Sequence, residues 1–296
     1  MKIAINLLSS RGGSGLSLNK YFLPALAAHD DSNEYSVILG EEQNELSALI
    51  PQRFEKRIVR GLRRSSAARV VWEQLALPYH LHKWRIDVLY TLGNTTSLLA
   101  TCKTVVVVTN ATPFSLLRFD WKLSDRARRC FLRRLSVLSA RKSTKLVFIS
   151  ENSRDLICRR LLLPLAKTEI IHYGWTPFEA HPDGHVPDPP VYVLTVAVLW
   201  PYKNIERLMK AFDLLVQRHG FSGFLVVAGP VGSKRYHERL LGLRDSLSHG
   251  NRVVFTGALP GGEIASLYRH ARLFVLPSIE ETLGLPLQEA MGCGIP

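Results

Sequence analysis

Methionine and cysteine are scarce in this chain of 296 residues, numbering 3 and 4. The cysteines, Cys102, Cys130, Cys158 and Cys293, are scattered, without the close pairing of a zinc site or redox centre, and read as small core residues suited to a reducing compartment. The 10 histidines contain no HExxH or comparable ligand spacing, so neither a metal nor another cofactor is expected. Long hydrophobic runs are missing too: no apolar stretch reaches the roughly 18 residues that a membrane-spanning helix needs. Nor does the start read as a secretory signal, because Lys2 leads a short IAINLL run that soon meets Ser9, Ser10 and Arg11. That run reads as a first strand, and the expected location is the cytoplasm.

Apolar residues make up 46% of the chain, enough at this length to bury two cores. The formal net charge of +13 is lopsided: residues 1–180 hold 27 Lys and Arg against 15 acids, residues 181–296 hold 11 against 10. Much of the excess lies in Arg118 to Lys145, where Arg126, Arg128, Arg129, Arg133 and Arg134 interleave with Phe131, Leu132, Leu135 and Leu138. A basic amphipathic helix of this kind suits an anionic membrane surface, or else presents only a solvated basic face. Nucleic acid is not an expected partner. There is no RNA-recognition, KH or zinc-finger pattern, and no exposed stacking aromatics punctuate the basic stretch.

Strand-like runs alternate with helical patterns in both halves, which predicts an α/β protein with parallel sheets. Strands are expected at Lys2 to Leu7, Tyr35 to Leu39, Val88 to Tyr90, Thr104 to Val108, Leu146 to Ile149 and Glu169 to His172. Helices are expected at Leu16 to Ala28, Ala67 to Trp84 and Lys122 to Ala140. The stretch from Gly174 to Pro190 lacks periodic apolar residues and carries five prolines, the composition of an extended linker. The expected organisation is therefore residues 1–175 as one Rossmann-like domain, 176–190 as linker and 191–296 as a second domain. Its strands should lie at Val191 to Ala197, Phe224 to Ala228, Val253 to Thr256 and Leu273 to Leu276.

The most informative words come at the end, in PSIEETLGLPLQEAMGCGIP. The apolar run Leu273 to Leu276 reads as a buried strand stopped by Pro277, Gly284 marks a turn, and Pro286 suits the opening of a helix. A strand, a glycine turn and a helix N-terminus together make an anion site, where backbone amides and the positive dipole end face a phosphate. Glu289, expected in the first helical turn, can accept hydrogen bonds from both hydroxyls of a ribose, while Glu281 on the strand side would face an attached sugar. The plain alternative is that an acid is merely favoured near a helix start, by about 0.3 to 1 kcal/mol.

These words resemble the donor-site motif of glycosyltransferase family 4, the retaining group 1 glycosyl transferases, in which two glutamates hold these positions. TVAVLWPYKNIERLMKAF, FLVVAGP and VVFTGALPGGEIASLYRHARLFVLPS match the family in the same order. MKIAINLLSSRGGSG, WEQLALP, DVLYTLGN, VVVVTNATPF and FISENSRDL match more loosely. The resemblance implies two Rossmann-like domains facing across a cleft, the GT-B type, with a nucleotide-sugar as donor and a carbohydrate or lipid-linked acceptor. It implies that Lys203 meets the donor's pyrophosphate together with the amides of Leu283, Gly284 and Leu285, that Glu289 binds ribose, and that Glu281 is the catalytic residue against the sugar. Gly12 and Gly13 would line the acceptor side, although RGGSG does not fit the dinucleotide spacing GxGxxG. Asn110 stands where many members carry histidine beside aspartate. It can hydrogen-bond a sugar hydroxyl but cannot exchange protons as histidine does, so no catalytic base is expected there. Members usually have glycine and arginine at the places of Ala197 and Val198, which removes one phosphate cation and leaves Lys203, helped by backbone donors or by Arg207. Asn204 is expected to cap the next helix. The family continues past the AMGCGIP segment with a further strand and helices, so the second domain is expected to be incomplete. Two other readings stand beside transfer: a non-catalytic relic or partner subunit, and a nucleotide-sugar epimerase of the same fold.

Overall fold

A computed structural model describes residues 1–10, 14–62, 65–115, 123–174 and 191–296, with the side chains of 14–18, 123–126 and 129 left out. Gly12, Gly13, Arg118 and the expected linker 176–190 thus lie outside the described residues, as do the side chains of Arg126 and Arg129. The described residues fall into two compact units, Met1 to Tyr173 and Gly174 to Pro296.

In the first unit, aliphatic and β-branched runs form parallel strands. They are β1 (Lys2–Asn6), β2 (Glu34–Gly40), β3 (Glu55–Val59), β4 (Val88–Leu92), β5 (Lys103–Val108), β6 (Lys145–Phe148) and β7 (Thr168–Ile170). Their spatial order is β3-β2-β1-β4-β5-β6-β7. The connecting helices are α1 (Ser14–His29), α2 (Asn44–Ala48), α3 (Ser66–Leu75), α4 (Leu77–Lys83), α5 (Leu123–Lys142) and α6 (Glu151–Leu161). Ala4, Ile38 and Leu89 from the strands pack with Leu77 and Leu81 of α4, while Val106, Val108 and Phe148 pack with Ala140 of α5 and Ile157 of α6. Both clusters bury apolar faces that water would otherwise wet.

Two elements differ from the sequence expectation. Strand β3 is an addition: its EKRIV sequence is mostly exposed because it sits at the sheet's edge beside β2, and an edge strand needs no continuous apolar run. The single helix expected over Ala67 to Trp84 is two helices that meet at Ala76, where Pro78 opens the second. Proline has no N–H for the helical ladder, and its ring crowds the preceding turn.

The second unit is a smaller parallel sheet of β8 (Tyr192–Val196), β9 (Phe224–Ala228), β10 (Val253–Gly257) and β11 (Leu273–Phe274), in the order β10-β9-β8-β11. Its helices are α7 (Ile205–His219), α8 (Lys234–Ser246), α9 (Gly261–His270) and α10 (Leu285–Gly292). The expected stripe of α7 is buried at Ile205, Leu208, Met209 and Phe212, with Val216 rather than Leu215 closing it. Strand β11 is shorter than its apolar run, and Leu273 is exposed at the sheet's edge rather than buried. The Phe274 amide donates to the Pro296 carbonyl (2.8 Å), so the last residue lies beside β11.

In both sheets the strand order reverses at the first strand: β2 and β3 are laid to one side of β1 before β4 is laid on the other, and β9 and β10 to one side of β8 before β11 on the other. Helical connections leave in opposite senses there, and the strand ends open a crevice in which ligands of such sheets bind.

Candidate functional site

The loop leaving β8 at this switch point is shaped by its neighbour. Ala197 N–H donates to the Ala228 carbonyl (2.9 Å), Leu199 N–H to Pro230 (3.0 Å) and Ser233 N–H back to Leu199 (3.1 Å). This close approach requires Gly229, which has φ +136°; a Cβ there would lie 2.1 Å from the Ala197 carbonyl oxygen. One turn of 3-10 helix, Pro201–Lys203, then delivers Lys203, and Asn204 follows in the left-handed region at φ 58°.

Asn204 does not cap α7 as expected. Its carbonyl opens the helix by accepting from Arg207 N–H (3.1 Å), but its side-chain amide donates to the Pro277 carbonyl (3.1 Å). The left-handed backbone is incompatible with the extended conformation of a side-chain cap. A second stitch runs from the Ile279 amide to the Tyr202 carbonyl (2.9 Å). The lysine loop and the turn after β11 are therefore fastened together, and across them the Lys203 ammonium donates to Glu281 Oε1. Lys203 also lies over the Tyr202 ring, 5.2 Å from its centroid. Both members of the pair are largely shielded, at 13% and 27% side-chain exposure. Partial burial makes this attraction stronger than that of a surface pair.

Gly284 adopts φ +77°, and an added Cβ would come within 3.1 Å of the Leu276 side chain. Helix α10 starts immediately after it at Leu285, with Pro286 in its opening turn. The Leu285 amide, in that first turn, has no intrahelical acceptor to reach. Glu289 is consequently the fifth residue of the helix and starts its second turn, one turn later than the sequence suggested. The macrodipole effect fades within the first turn, so an N-terminal preference for acids does not account for this glutamate. Its Oε2 accepts a hydrogen bond from the Tyr268 hydroxyl of α9 (2.7 Å). Burial raises the Glu289 pKa, partly countered by that bond.

Val198, at the place of the expected second cation, is 40% exposed, and Arg207 is exposed on α7. Tyr268 did not stand out in the sequence. Its signal was a phenol within the apolar stripe of α9, a residue type that needs a polar partner when buried.

In the first unit, the loop following β1 is anchored by buried polar groups. Asn6 Nδ2 donates to Glu73 Oε1 (2.9 Å), Leu8 N–H donates to Asn6 Oδ1 (3.1 Å), and Gln43 Nε2 donates to the Leu7 and Ser10 carbonyls (3.0 and 2.8 Å). Asn110 follows β5 and is exposed; its Oδ1 accepts from the Thr112 amide (2.8 Å) in an Asx turn, so its free capacity lies in the Nδ2 donors. Among the described residues no group of three or more His, Cys, Asp or Glu is placed to hold a metal ion. No described helix is long and apolar enough to cross a membrane.

Residues 178–296 match the family model described as glycosyl transferases group 1. The second unit is a domain of the group 1 glycosyl transferases. The chain is 37% identical over 107 residues to the serotype-specific mannosyltransferase WbdA of Escherichia coli, covering 36% of this chain and 13% of WbdA. An uncharacterized glycosyltransferase of Methanocaldococcus jannaschii is 29% identical over 177 residues, 55% of this chain and 43% of that protein. These matches span less than half the length of either relative. Among solved structures, Anabaena HepE in complex with UDP-glucose superposes with a TM-score of 0.70 at 18% identity, covering all of this chain and 79% of HepE. At that identity the likeness shows the fold: Rossmann-like α/β architecture in both units, as the sequence suggested.

Proposed function

We propose that the chain transfers a sugar, with retention at the anomeric carbon, from a nucleoside-diphosphate sugar to an acceptor hydroxyl. The observation that carries this reading is the meeting of Lys203 and Glu281 at the switch point of the glycosyl transferase domain, beside Gly284 and the start of α10. The bond from the anomeric carbon to the phosphate oxygen breaks with its electron pair going to the diphosphate. Lys203 and the amides of Leu283, Gly284 and Leu285 stabilise the charge that develops there, in a site organised before reaction. The acceptor oxygen bonds to the anomeric carbon from the face the phosphate leaves, and its proton passes to the departing phosphate oxygen. Glu281 orients the sugar and supports positive charge at that carbon, Glu289 holds the ribose, and Gly12, Gly13 and Asn110 belong to the acceptor side. No step calls for a metal.

The name of WbdA supports mannose as one donor sugar to try and a cell-surface carbohydrate or glycolipid as product. Work on a lipid-linked acceptor would place the protein on the cytoplasmic face of a membrane, which α5 is built to meet. Phe131, an aromatic that the sequence did not lead one to expect at the surface, is exposed along one side of it with Arg134, Leu138 and Arg141, while Leu135, Ser136, Ser139 and Ala140 are buried on the other.

The test is transfer of labelled sugar from UDP- and GDP-linked donors, mannose among them, to lipid-linked saccharides. Glu281→Ala is expected to abolish transfer and EDTA to leave it unchanged. Unaltered turnover of the variant would sink the assignment of Glu281, and loss in EDTA the metal-free chemistry. Release of an epimerised donor without acceptor would point to an epimerase, and neither product to a non-catalytic partner.

A further inference from the structure

Tyr268 is fully buried on α9, among Leu194, Val226, Ala228, Phe274 and Ala290, with its ring 5.5 Å from that of Phe274. A phenol in such a shell loses its hydration and must find a hydrogen-bond partner to offset the loss. It finds one in Glu289 Oε2, at 2.7 Å. The two groups come from different helices, α9 and α10, and the bond reaches from the core to the candidate nucleotide site. We propose that Tyr268 is a positioning residue whose hydroxyl fixes the Glu289 carboxylate, leaving Oε1 outside that bond to accept from the ribose hydroxyls of the donor.

The inference rests on the reading of Glu289 as the ribose ligand, and its physical basis is preorganisation. A glutamate side chain has three rotatable bonds, and holding it in one geometry before a ligand arrives removes that ordering cost from binding. One oxygen pinned by a buried donor also fixes the plane of the carboxylate, hence the directions in which the other accepts. Charge matters as well: burial disfavours ionised Glu289, whereas the tyrosine hydrogen bond favours the ionised form, the only one that accepts at both oxygens. A bond that served merely to hold α10 against α9 would affect all ligands alike. A bond that aims the carboxylate acts on ribose recognition in particular.

That difference sets the experiment. Affinities of the full chain for UDP and GDP are compared with those for their 2′-deoxy forms, using whichever ribonucleotide binds. The unaltered protein is expected to favour the ribonucleotide by roughly 10- to 100-fold, the size of a lost charge-assisted hydrogen bond. Glu289→Gln should bring the ratio near 1, and Tyr268→Phe, which keeps the ring and its packing, should lower it about fivefold or more. A Tyr268→Phe ratio within twofold of the original, with Glu289→Gln still abolishing it, would overturn the positioning role and leave the Glu289 reading standing. Absence of any ribose preference in the unaltered protein would overturn both. Thermal melting is recorded alongside. If Tyr268→Phe does not melt cooperatively, Tyr268→Leu, which also lacks the hydroxyl and leaves Glu289 intact, takes its place: a lowered ratio supports the role and an unchanged one overturns it.

Discussion

Lys203 and Glu281 are paired with one another, so on the proposed reading a donor diphosphate arriving at Lys203 would compete with a carboxylate already there. In the proposed reaction the two charged phosphates would be the stronger partner for the ammonium, and the released Glu281 would become available to the sugar. Lys203→Ala should lower turnover by about 100- to 1000-fold, the usual effect of removing one group that stabilises charge in the transition state, as steady-state kinetics would show. Glu289 makes a second, pH-dependent prediction. Because burial raises its pKa above the ordinary 4.5, the folded chain binds its proton more tightly than the unfolded chain does. This group therefore favours folding at low pH, and its contribution is lost as pH rises through the interval above 4.5. Ribonucleotide binding has the opposite sign, since protonated Glu289 accepts less well: affinity should fall as pH drops through that same interval. Calorimetric titration across this range should show the fall, and Glu289→Gln should remove it.

At the scale of elements, the meeting of β8, β9 and the loop after each turns on one glycine. Gly229→Ala would set a methyl group against the Ala197 carbonyl in a backbone conformation that alanine disfavours, and neither contact partner is a movable side-chain tip. A loss of more than about 2 kcal/mol is expected in urea unfolding, together with displacement of the Lys203 loop. The strands around this glycine were legible because they are largely buried on both faces and, but for Thr195, carry apolar or aromatic side chains. Strand β3 was not, since an edge position tolerates Glu55, Lys56 and Arg57. The partition of α3 from α4 was visible in Pro78, but the unbroken apolar pattern from Ala67 to Trp84 masked it. Residue types at Lys203, Glu281 and Glu289 pointed to a charged site. The ion pair, the diverted Asn204 side chain and the Tyr268 bond depend on rotamers and backbone turns that join residues up to 78 positions apart. No local spacing encodes those.

For the molecule as a whole, the uneven charge has a measurable consequence. Exposed Arg128, Arg133, Arg134, Arg141 and Lys142 cluster on α5, and each cation near an anionic surface contributes about 1 kcal/mol. Pelleting with phosphatidylglycerol vesicles is expected at low salt, to weaken as salt screens the attraction, and to diminish in Arg133→Ser/Arg134→Ser; no pelleting at low salt would remove the membrane claim. Among the described residues the larger sheet ends in β3 at one side and in β7 at the other. A row of unpaired amides and carbonyls invites another chain to add itself, which is how sheets nucleate aggregates. Here β7 offers just 3 residues, and β3 carries three consecutive charged side chains. Brevity guards one margin, and at the other a pairing strand would have to cover charged side chains at a desolvation cost, so neither margin offers a long apolar template for adding strands.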